Sequence, residues 1–588
     1  MVIGQNSDMF GKYFSKKEDD FYLPGEEIRI GKSSSFISYE SSKDPLSTCK
    51  NRVAAAVLSF LLIYIIIGIR LFNVCIVPNL SSNEPDGDNH LRAYAQNPIK
   101  RADIVDRNGV VIATSLPIVN LHANPKKILN AQKAAKELVK VLPDLKYADV
   151  LRKLSSNSSF VYIKRNLTPS QQYQINYLGI PGLEFEDGEK RIYPHKNLFA
   201  HLVGATNIDN QGISGVEKKE NERLTQSGIP LALTIDVGIQ DTIRRELVNA
   251  VKKYDAIGAT AILMDVKTGE VISLVSLPDF DPNLSSDPKS RSKFNMATKG
   301  VYEPGSVLKI FNAAMSLESG KVRVADKFDA TQPLRLKYNV IKDYRGENRW
   351  LSVPEIMVHS SNIGSARMAL KVGGKEQKQF MEKIGFFNEI DFEIAEKSKP
   401  IVPKNWGEGT IATVAYGYGL SVTPMHLITA FSSVVNGGIY YEPTILKNST
   451  KKDNGYRVIS YNTSKQMRDL LRLVVTEGSG KKANILGYEV AGKTGTANKV
   501  TKGKYDSKKV RTAFAATFPA SDPQYALFVM LDEPKGNKET WGFTTSGWNT
   551  VPTTGKIISA IAPQLNIKAN YDLDEVRKNR IIEASYKR

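Results

Sequence analysis

The sequence predicts an α+β fold in which strands from two distant parts of the chain form one sheet with helices on both faces. Three observations indicate this arrangement. A strand, a helix and a β-hairpin follow one another between residues 231 and 276. A largely helical stretch then continues to about Val435, and a second group of strands lies between residues 487 and 531. Because helices separate the two groups of strands, we expect the second group to return to the sheet of the first.

The hairpin is the clearest of these elements. Two apolar runs, residues 259–266 and 271–276, flank a turn at Lys267-Thr268-Gly269-Glu270. The same periodicities predict strands at Val110–Ala113, Leu231–Ile235, Gly487–Gly492, Thr512–Phe518 and Tyr525–Leu531, and helices at Ala131–Leu142, Gly238–Tyr254 and Thr554–Ile561.

Composition limits the partners of the chain. Its 588 residues carry a formal net charge of +19, which suits nucleic acid, an anionic membrane surface or an acidic cell-wall polymer. The sequence has no zinc-ligand cluster, arginine-rich tail or aromatic RNA-binding motif, so we expect membrane and wall rather than nucleic acid. Both cysteines, Cys49 and Cys75, precede the region expected outside the cell. That region therefore has neither an internal disulfide nor a cysteine nucleophile.

One long apolar run predicts a single membrane-spanning helix. Residues 53–77 are long enough for a hydrocarbon core of ~30 Å if Arg70 extends its charged end to the interface. Lys50 and Arg52 precede the run, so the positive-inside rule places the N-terminus in the cytoplasm. A cleaved signal peptide and a buried core helix are the alternatives. The long leader argues against the first and the flanking charges against the second.

Changes in composition divide the chain into five parts. They are a polar, disordered cytoplasmic tail (residues 1–52), the transmembrane helix (53–77), a mixed domain (78–230), the α+β domain (231–566) and a charged tail (567–588).

Ser306 and Lys309 form the first candidate site. The Pro304-Gly305 turn precedes an apolar stretch, Val307–Met315, that predicts a helix. Ser306 therefore lies at a helix start, and Lys309 lies one turn later on the same face. The unpaired N–H groups of a helix start point toward the hydroxyl. This arrangement is typical of a serine nucleophile whose base is a lysine.

Two further motifs follow Ser306 along the chain. Ser360-Ser361-Asn362 comes 54 residues later, in front of an apolar helix. Lys493-Thr494-Gly495-Thr496 comes 187 residues after Ser306 and runs out of a predicted strand. Together the three motifs place a hydroxyl, two amines and an amide in a fixed order.

Each motif also has copies in less suitable surroundings. The Ser-x-x-Lys spacing recurs at Ser290/Lys293 and Ser479/Lys482, which we interpret as solvated polar residues because no turn leads directly into an apolar helix there. The twin Lys267-Thr268-Gly269 is interpreted as a plain hairpin turn.

The ordered motif set resembles that of the penicillin-binding proteins and serine β-lactamases. It is most similar to the class B penicillin-binding proteins of the FtsI family, which are monofunctional peptidoglycan transpeptidases. Residues 417–424 and Gly547-Trp548-Asn549 with Pro552 resemble the division-specific branch. The resemblance implies a central antiparallel sheet with helices on both faces and a helical lobe. It also implies that an elongated pedestal, a dimerisation-like domain, precedes them at residues 78–230.

The pedestal carries the resemblance in three segments. They begin at Arg101, Arg191 and Gly212, the last of them ending at Glu217. Two residues depart from the family pattern, because Ala102 and Lys196 stand where glycines are expected.

The resemblance implies serine acyl transfer. Ser306 attacks a D-alanyl-D-alanine stem peptide and forms an acyl-enzyme, which a free amine of a neighbouring stem then resolves. Lys309 accepts the serine proton, so we expect burial and the nearby Lys493 cation to lower its pKa until it is neutral at pH 7. Ser360 relays a proton to the leaving group, and Asn362 holds Lys309 and the substrate amide.

The resemblance also implies a substrate-binding strand. Lys493 and the hydroxyls of Thr494 and Thr496 suit the terminal carboxylate, and Gly495 lets the ligand approach. The oxyanion hole consists of the backbone N–H groups of Ser306 and Thr496. No metal or cofactor is implied. We interpret His359 as structural, and Trp541, Phe543 and Trp548 as packing rather than as cleft walls.

Partners and location follow from the same resemblance. They are peptidoglycan stem peptides and lipid-linked precursor strands, β-lactams, the glycosyltransferase FtsW and the FtsQ, FtsL and FtsB proteins. The catalytic domain is expected in the periplasm, anchored to the bacterial inner membrane at the division septum.

Three alternatives remain. An elongation-specific class B enzyme is disfavoured by Ser421-Val-Thr-Pro424, and a carboxypeptidase or β-lactamase is disfavoured by the anchor and pedestal. A β-lactam sensor or scaffold is disfavoured by the complete motif set.

Overall fold

The computed structural model describes residues 45–76, 100–284, 290–337, 339–501 and 503–571. The chain divides into two units, Met1–Ala95 and Gln96–Arg588. The predicted cytoplasmic tail up to residue 44, the linker around residues 78–90 and the charged tail from residue 572 lie outside the described residues. The predicted domain boundaries stay predictions.

The described part of the first unit is one helix, α1, which spans Pro45–Ile76. Its stretch Arg52–Arg70 is apolar and long enough to cross a membrane. A segment that crosses the hydrocarbon core must satisfy its backbone N–H and C=O groups itself, because lipid offers no hydrogen-bond partners. A helix does so by pairing these groups internally. The candidate span begins one residue before the run, 53–77, from which the sequence predicts a transmembrane helix, and otherwise lies within it.

The second unit begins with a mixed sheet and short helices. Its elements are β1 (Ile104–Val105), β2 (Val111–Ala123), α2 (Ala131–Val141), α3 (Tyr147–Leu154), β3 (Val161–Leu167), α4 (Pro169–Tyr177), β4 (Leu183–Ile192), α5 (Ala200–Val203), α6 (Gly215–Lys219), α7 (Asn221–Gln226) and β5 (Leu231–Ala232). Strand β2 pairs antiparallel with β1, β3 and β4, and β1 pairs in parallel with β5. Helices α2 and α3 close one core over β2 and β3, where Leu121, Leu138 and Leu154 are buried.

The rest of the second unit alternates strands and helices. Its elements are α8 (Val237–Lys253), β6 (Gly258–Asp265), β7 (Val271–Leu277), α9 (Lys309–Glu318), β8 (Lys327–Asp329), β9 (Leu334–Arg335), β10 (Val340–Ile341), β11 (Trp350–Ser352), α10 (Val353–His359), α11 (Asn362–Val372), α12 (Gly374–Lys383), α13 (Glu408–Tyr416), α14 (Pro424–Val435), β12 (Ile439–Tyr440), β13 (Tyr456–Arg457), α15 (Tyr461–Thr476), β14 (Ala491–Thr501), β15 (Lys504–Phe518), β16 (Tyr525–Asp532) and α16 (Thr550–Ile561).

Among the described residues, five of these strands form an antiparallel sheet in the order β14-β15-β16-β6-β7. The late strands therefore return to the early hairpin, as the sequence predicts. Side chains alternate between the two faces of the sheet along each strand, and a hydrophobic core covers each face. On β16, Leu527, Val529 and Leu531 pack in the core that contains α8 and α16. The intervening Phe528 and Met530 pack in the core that contains the helical lobe and α9.

Two predicted boundaries shift in ways that matter for the site. A 3₁₀ turn, Gly305–Leu308, precedes α9, so Ser306 lies in that turn and Lys309 is the first residue of the α-helix. Strand β14 begins at Ala491, so the Lys493-Thr494-Gly495 motif lies inside a strand and does not run out of one. Contacts with distant parts of the chain accompany both boundaries: Gly305 in the 3₁₀ turn bonds to Gly417, and Ala491 at the start of β14 pairs with Thr517 of β15.

The pedestal motifs converge on one buried ion triad. Glu217 accepts hydrogen bonds from Arg101 Nε at 2.8 Å and from Arg191 Nε at 2.7 Å. The three side chains are at most 5 % exposed. The carboxylate therefore joins the segments before β1, in β4 and in α6.

The two departures from the family pattern have different surroundings. Lys196 has a φ of +51°, in the left-handed region that favours glycine. Ala102 is buried, and its N–H donates to the Leu224 carbonyl at 2.8 Å. The positive φ at residue 196 thus explains why the family pattern has a glycine at this position.

Candidate active site

The 3₁₀ turn that carries Ser306 is held by backbone contacts on two sides. Gly305 N–H donates to the Gly417 carbonyl at 3.1 Å, and Tyr302 exchanges two backbone hydrogen bonds with Val422 at 2.9 and 3.0 Å. On the other side lies the edge strand β14. Ser306 is half-buried at this junction and lines a cleft of about 830 Å³. The turn therefore presents the hydroxyl to the cleft from a fixed backbone.

Lys309 reaches from the start of α9 to the Ser-x-Asn motif. Its Nζ donates to Ser360 Oγ at 3.1 Å, to Asn362 Oδ1 at 2.8 Å and to the Ser360 carbonyl oxygen. Ser360 can present both oxygens to one amine because it ends α10 in the left-handed conformation, with a φ of +57°. Such a conformation in a non-glycine residue is typical of functional sites.

Lys493 also donates a hydrogen bond to the same serine. Its Nζ donates to Ser360 Oγ at 3.0 Å and to the Thr494 carbonyl at 3.3 Å. Ser360 Oγ therefore links the two amines, and both lysines are fully buried. The sequence-predicted residues Lys309, Ser360, Asn362 and Lys493 thus meet in one hydrogen-bonded cluster.

Burial dominates the electrostatics of this cluster. It holds the pKa of the Lys309 amine well below its usual value, the Lys493 cation lowers that pKa further, and the Asp343 carboxylate opposes both. Burial lowers the pKa of Lys493 to about 7. Because two adjacent buried cations repel each other, the cluster favours at most one protonated lysine near neutral pH. A neutral Lys309 would have a lone pair that can accept a proton.

Strand β14 brings its backbone against the Ser306 turn. A Cβ on Gly495 would lie 2.8 Å from Val307 Cγ2 and 2.9 Å from the Pro304 carbonyl, so only glycine fits without displacing the turn. The Thr496 carbonyl faces Gly305. Since the C=O and N–H of one strand residue point to the same side, the Thr496 N–H also points away from β15, toward this turn.

Asp343 is a site residue that the sequence analysis missed. Its carboxylate accepts hydrogen bonds from Ser361 Oγ at 2.7 Å, from Asn362 N at 2.5 Å and from Ile363 N at 3.0 Å. It thereby caps the start of α11 and fixes Asn362. Asp343 lies in a non-periodic loop far from any motif, so only the tertiary structure identifies it.

Ser479 belongs to the cleft in a way that the sequence analysis did not predict. Ser479 and Lys482 are both exposed, as expected for solvated residues, but both also line the cleft, and Ser479 Oγ lies 2.6 Å from Thr494 Oγ1. Thr496 Oγ1 in turn accepts a hydrogen bond from Ser546 N at 3.2 Å. The hydroxyls of Thr494 and Thr496 are therefore both oriented by neighbours. In contrast, the twin Lys267-Thr268-Gly269 forms the turn between β6 and β7, as expected.

The aromatic residues near the C-terminus also differ from their first interpretation. Phe543 and Trp548 line the cleft and stack with ring centroids 5.4 Å apart and an interplanar angle of 16°. Trp541 is 80 % exposed. His359 lines the cleft too, with its Nδ1 3.2 Å from Glu347 Oε1. No group of three or more metal-ligating side chains is gathered anywhere in the described ranges.

The sequence matches two protein families. Residues 259–547 match the family described as penicillin-binding protein transpeptidase domain. Residues 96–231 match the penicillin-binding protein dimerisation domain. The first range contains every candidate catalytic residue described above.

Several curated relatives are similar along most of their length. The probable peptidoglycan D,D-transpeptidase FtsI of Caulobacter vibrioides is 34% identical over 487 residues, which cover 80% of this chain and 82% of the relative. Peptidoglycan D,D-transpeptidase FtsI of Escherichia coli is 30% identical over 520 residues, covering 82% and 87%. Stage V sporulation protein D of Bacillus subtilis is 30% identical over 581 residues, covering 91% and 88%.

Solved structures share the fold. A peptidoglycan synthetase from Bifidobacterium adolescentis superposes with a TM-score of 0.65 at 22% identity, covering 80% of this chain and 96% of that one. Penicillin binding protein 3 of Mycobacterium tuberculosis, complexed with aztreonam, gives 0.64 at 23% identity and covers 80% and 98%.

Proposed function

The chain belongs to the FtsI family of class B penicillin-binding proteins, and from this we propose that Ser306 is its acylated nucleophile and Lys309 the base. It is a serine-type peptidoglycan D,D-transpeptidase of cell division, and β-lactams bind it. The observation that carries the assignment of residues is the meeting of three distant segments, around residues 306, 360 and 493, at one cleft.

In the acylation half, Ser306 Oγ attacks the carbonyl carbon of the penultimate D-alanine. Its proton passes to neutral Lys309, and the carbonyl oxygen becomes an oxyanion that the backbone N–H groups of Ser306 and Thr496 stabilise. When the tetrahedral intermediate collapses, the C–N bond to the terminal D-alanine breaks. The leaving amine takes a proton through Ser360, whose Oγ lies within hydrogen-bond distance of both lysines. The products are an ester on Ser306 and free D-alanine.

In the transfer half, an amine of a second stem peptide attacks the ester carbonyl. The attacking nitrogen loses one proton to the lysine cluster, the C–O bond to Ser306 breaks, and Ser306 Oγ regains a proton. An amide cross-link results, and the enzyme returns to its starting state.

Thr494 and Thr496 are the groups we assign to the terminal carboxylate of the donor. Both residues line the cleft, and their hydroxyls are oriented by Ser479 and Ser546, whereas Lys493 is fully buried and bonds to Ser360. Lys493 therefore supplies positive charge next to Ser360, to which it is hydrogen-bonded, and is not part of the cleft surface. Asn362, fixed by Asp343, holds Lys309 in place.

We assign the remaining partners and the location by family membership. The helix Arg52–Arg70 is a candidate span that fits an anchor in the inner membrane with the catalytic domain in the periplasm. In this setting the enzyme works at the division septum with FtsW, FtsQ, FtsL and FtsB and takes its strands from lipid-linked precursor.

A cross-linking assay tests the proposal. The purified full chain is given stem peptides ending in D-alanyl-D-alanine, and dimeric product and released D-alanine are quantified. We expect Ser306→Ala to abolish both. Ser290→Ala, which removes the serine of a Ser-x-x-Lys copy, should leave both unchanged. Equal D-alanine release by Ser306→Ala would refute the assignment, and release without any dimer from the wild type would indicate a carboxypeptidase instead.

A further inference from the structure

A second cavity, of about 600 Å³, is separate from the cleft that contains Ser306. Successive side chains of a strand point to opposite faces of the sheet, so Val510 of β15 lines the cleft whereas its neighbour Arg511 lines the second cavity. The two cavities share no lining residue. Most of the wall of the second cavity comes from residues 290–302, which end at Tyr302.

Cations outnumber carboxylates in the wall of the second cavity. Its charged lining residues are Arg291, Lys293, Lys299, Arg511, Glu396 and Asp532. Asp532 is 5 % exposed and already pairs with Lys499 at 2.9 Å and with Arg291 at 3.5 Å. Glu396 accepts a hydrogen bond from Gly215 N at 2.9 Å. Lys299 is exposed and has no ion pair with any described residue. The wall therefore has positive charge that its own carboxylates do not balance.

Arg511 is fixed in this wall and keeps an unused hydrogen-bond donor. Its guanidinium stacks on Tyr302, with Cζ 4.4 Å from the ring centroid. Its Nε is buried and lies 3.4 Å from Asp532 Oδ1, but it forms no hydrogen bond within the described part of the chain. A buried donor without an acceptor is uncommon, because it costs free energy. The planar fork of a guanidinium suits two oxygens of one anionic group.

The second cavity also has an apolar wall. Pro278, Phe294 and Met296 line it beside the charged groups, and Phe294 is 42 % exposed. Ligand pockets of several hundred Å³ typically combine apolar side chains with a few polar groups that fix the orientation of the ligand. A ligand for this cavity therefore needs an apolar part as well as negative charge.

We propose that the second cavity binds a phosphate monoester, with the phosphate near Arg511 and Lys299 and the organic part against Phe294. A phosphate monoester carries about −1.5 to −2 charges at pH 7 and has three acceptor oxygens. This charge balances the two cations by which the lining exceeds its carboxylates. A carboxylate brings one charge and two oxygens, and so matches the wall less well. A soluble ester and a lipid headgroup can both carry such a phosphate.

Calorimetric titration of the full chain in phosphatidylcholine nanodiscs tests the proposal. The probes are phenyl phosphate and inorganic phosphate. We expect phenyl phosphate to bind roughly tenfold more tightly than inorganic phosphate, because only the ester buries apolar surface. Binding should weaken as the salt concentration rises, since exposed cations are screened.

A second set of nanodiscs, which contain phosphatidic acid, distinguishes the two sources of the phosphate. If a lipid headgroup occupies the cavity, phenyl phosphate binds more weakly in these discs, and Lys299→Gln removes the difference between the discs. Equal affinity in both discs indicates a soluble ester. Either result supports a phosphate site in the cavity.

Variants connect the binding to the second cavity. Lys299→Gln should weaken the binding of phenyl phosphate about tenfold, because it removes a charge-assisted hydrogen bond. Arg511→Lys keeps the charge but removes the fork, and should weaken binding about threefold or more. Lys136→Gln, which removes an exposed lysine of α2, and Lys482→Gln, which removes a cation of the cleft, should leave the Kd at the wild-type value.

The outcomes are decisive because Lys299 is exposed and its replacement leaves the core intact. The inference is overturned if phenyl phosphate does not bind, if it binds no more tightly than inorganic phosphate, or if Lys299→Gln leaves the Kd unchanged. A loss of binding in Lys482→Gln, or after acylation by penicillin, would place the anion in the cleft and overturn the inference as well. The proposed function is unaffected by any of these results, since acylation of Ser306 is measured separately.

Discussion

Lys309 illustrates how burial turns an ordinary side chain into a base. An exposed lysine is protonated at pH 7 and cannot accept a proton. Here the amine is fully buried and near a second buried amine, and both effects lower its pKa. The lowered pKa of Lys309 could be expected from the sequence, because the family resemblance places Lys493 near Lys309. The sequence did not reveal Asp343, whose carboxylate raises the Lys309 pKa.

The pH dependence of acylation follows from the direction of that shift. Lys309 acts when neutral, so the rate constant for acylation by penicillin falls as the pH is lowered through its pKa and levels off above it. Because burial lowers this pKa well below its usual value, we expect the rise between pH 8 and 9.5 in stopped-flow measurements to be much smaller than the roughly 30-fold rise of a lysine with an ordinary pKa. A rise of more than tenfold over this interval would mean an unshifted lysine and would exclude Lys309 as the neutral base.

Replacement of Asp343 separates its charge from its hydrogen bonds. Asp343→Asn removes the carboxylate that raises the Lys309 pKa, so the midpoint of the acylation profile should move to lower pH. Asp343→Ala also removes three accepted hydrogen bonds and should lower the free energy of unfolding by about 1–3 kcal/mol. Asp522→Ala breaks an exposed ion pair with Lys267 and should cost less than about 1 kcal/mol. An unchanged pH midpoint in Asp343→Asn would contradict the electrostatic role.

The Ser306 turn shows that the site depends on how elements meet. Its 3₁₀ conformation is set between the Gly417 turn and strand β14, and both contacts require glycine at the point of approach. At Gly417 the φ is +111°, and a Cβ would overlap the Gly305 carbonyl oxygen.

A pair of glycine substitutions tests this contact. Gly417→Ala should displace the turn and slow acylation of Ser306 by about a hundredfold, since small displacements of reacting groups cost about this much. Gly320→Ala is the matched control, because Gly320 also has a positive φ but open space around its Cα. The control should cost about 1 kcal/mol of stability through backbone strain and leave acylation intact. Equal effects of the two substitutions on acylation would refute the contact argument.

Local pattern predicts the elements better than their junctions. The β6–β7 hairpin and α8 follow from turn chemistry and periodicity, and the structure places them within a residue or so of expectation. The start of β14 and the turn before α9 shifted because partners distant in sequence decide them. For the same reason, the contributions of Asp343 and Ser479 to the site were not predicted. Neither lies in a periodic segment, and their partners are 18 or 15 residues away or more.

The entire chain combines a candidate membrane-spanning helix, a dimerisation domain and a transpeptidase domain, and one buried cluster explains why three pedestal motifs occur together. Arg101 and Arg191 share Glu217 in the interior, where an unpaired charge is costly. The sequence placed these motifs by resemblance only. Their separation of up to 116 residues gave no physical sign that they meet.

Neutralising Glu217 should therefore destabilise the protein strongly. We expect Glu217→Gln to lower the free energy of unfolding by about 3–5 kcal/mol, because two buried guanidinium groups lose their common counter-charge. Glu184→Gln removes the exposed partner of Lys127 and should cost less than about 1 kcal/mol. Thermal unfolding of the full chain in detergent measures both. Similar melting temperatures for the two variants would contradict the importance of the triad.

Mapping the acylated residue provides the most direct test of the chemistry. The full chain is incubated with penicillin, digested with trypsin and analysed by mass spectrometry. Cleavage after Lys299 and Lys309 releases residues 300–309, in which Ser306 is the only serine. We predict that the penicilloyl mass appears on this peptide and disappears in Ser306→Ala. A modification on any other peptide, or none on the folded wild type, would contradict the assignment of Ser306 as the group that carries the acyl chain.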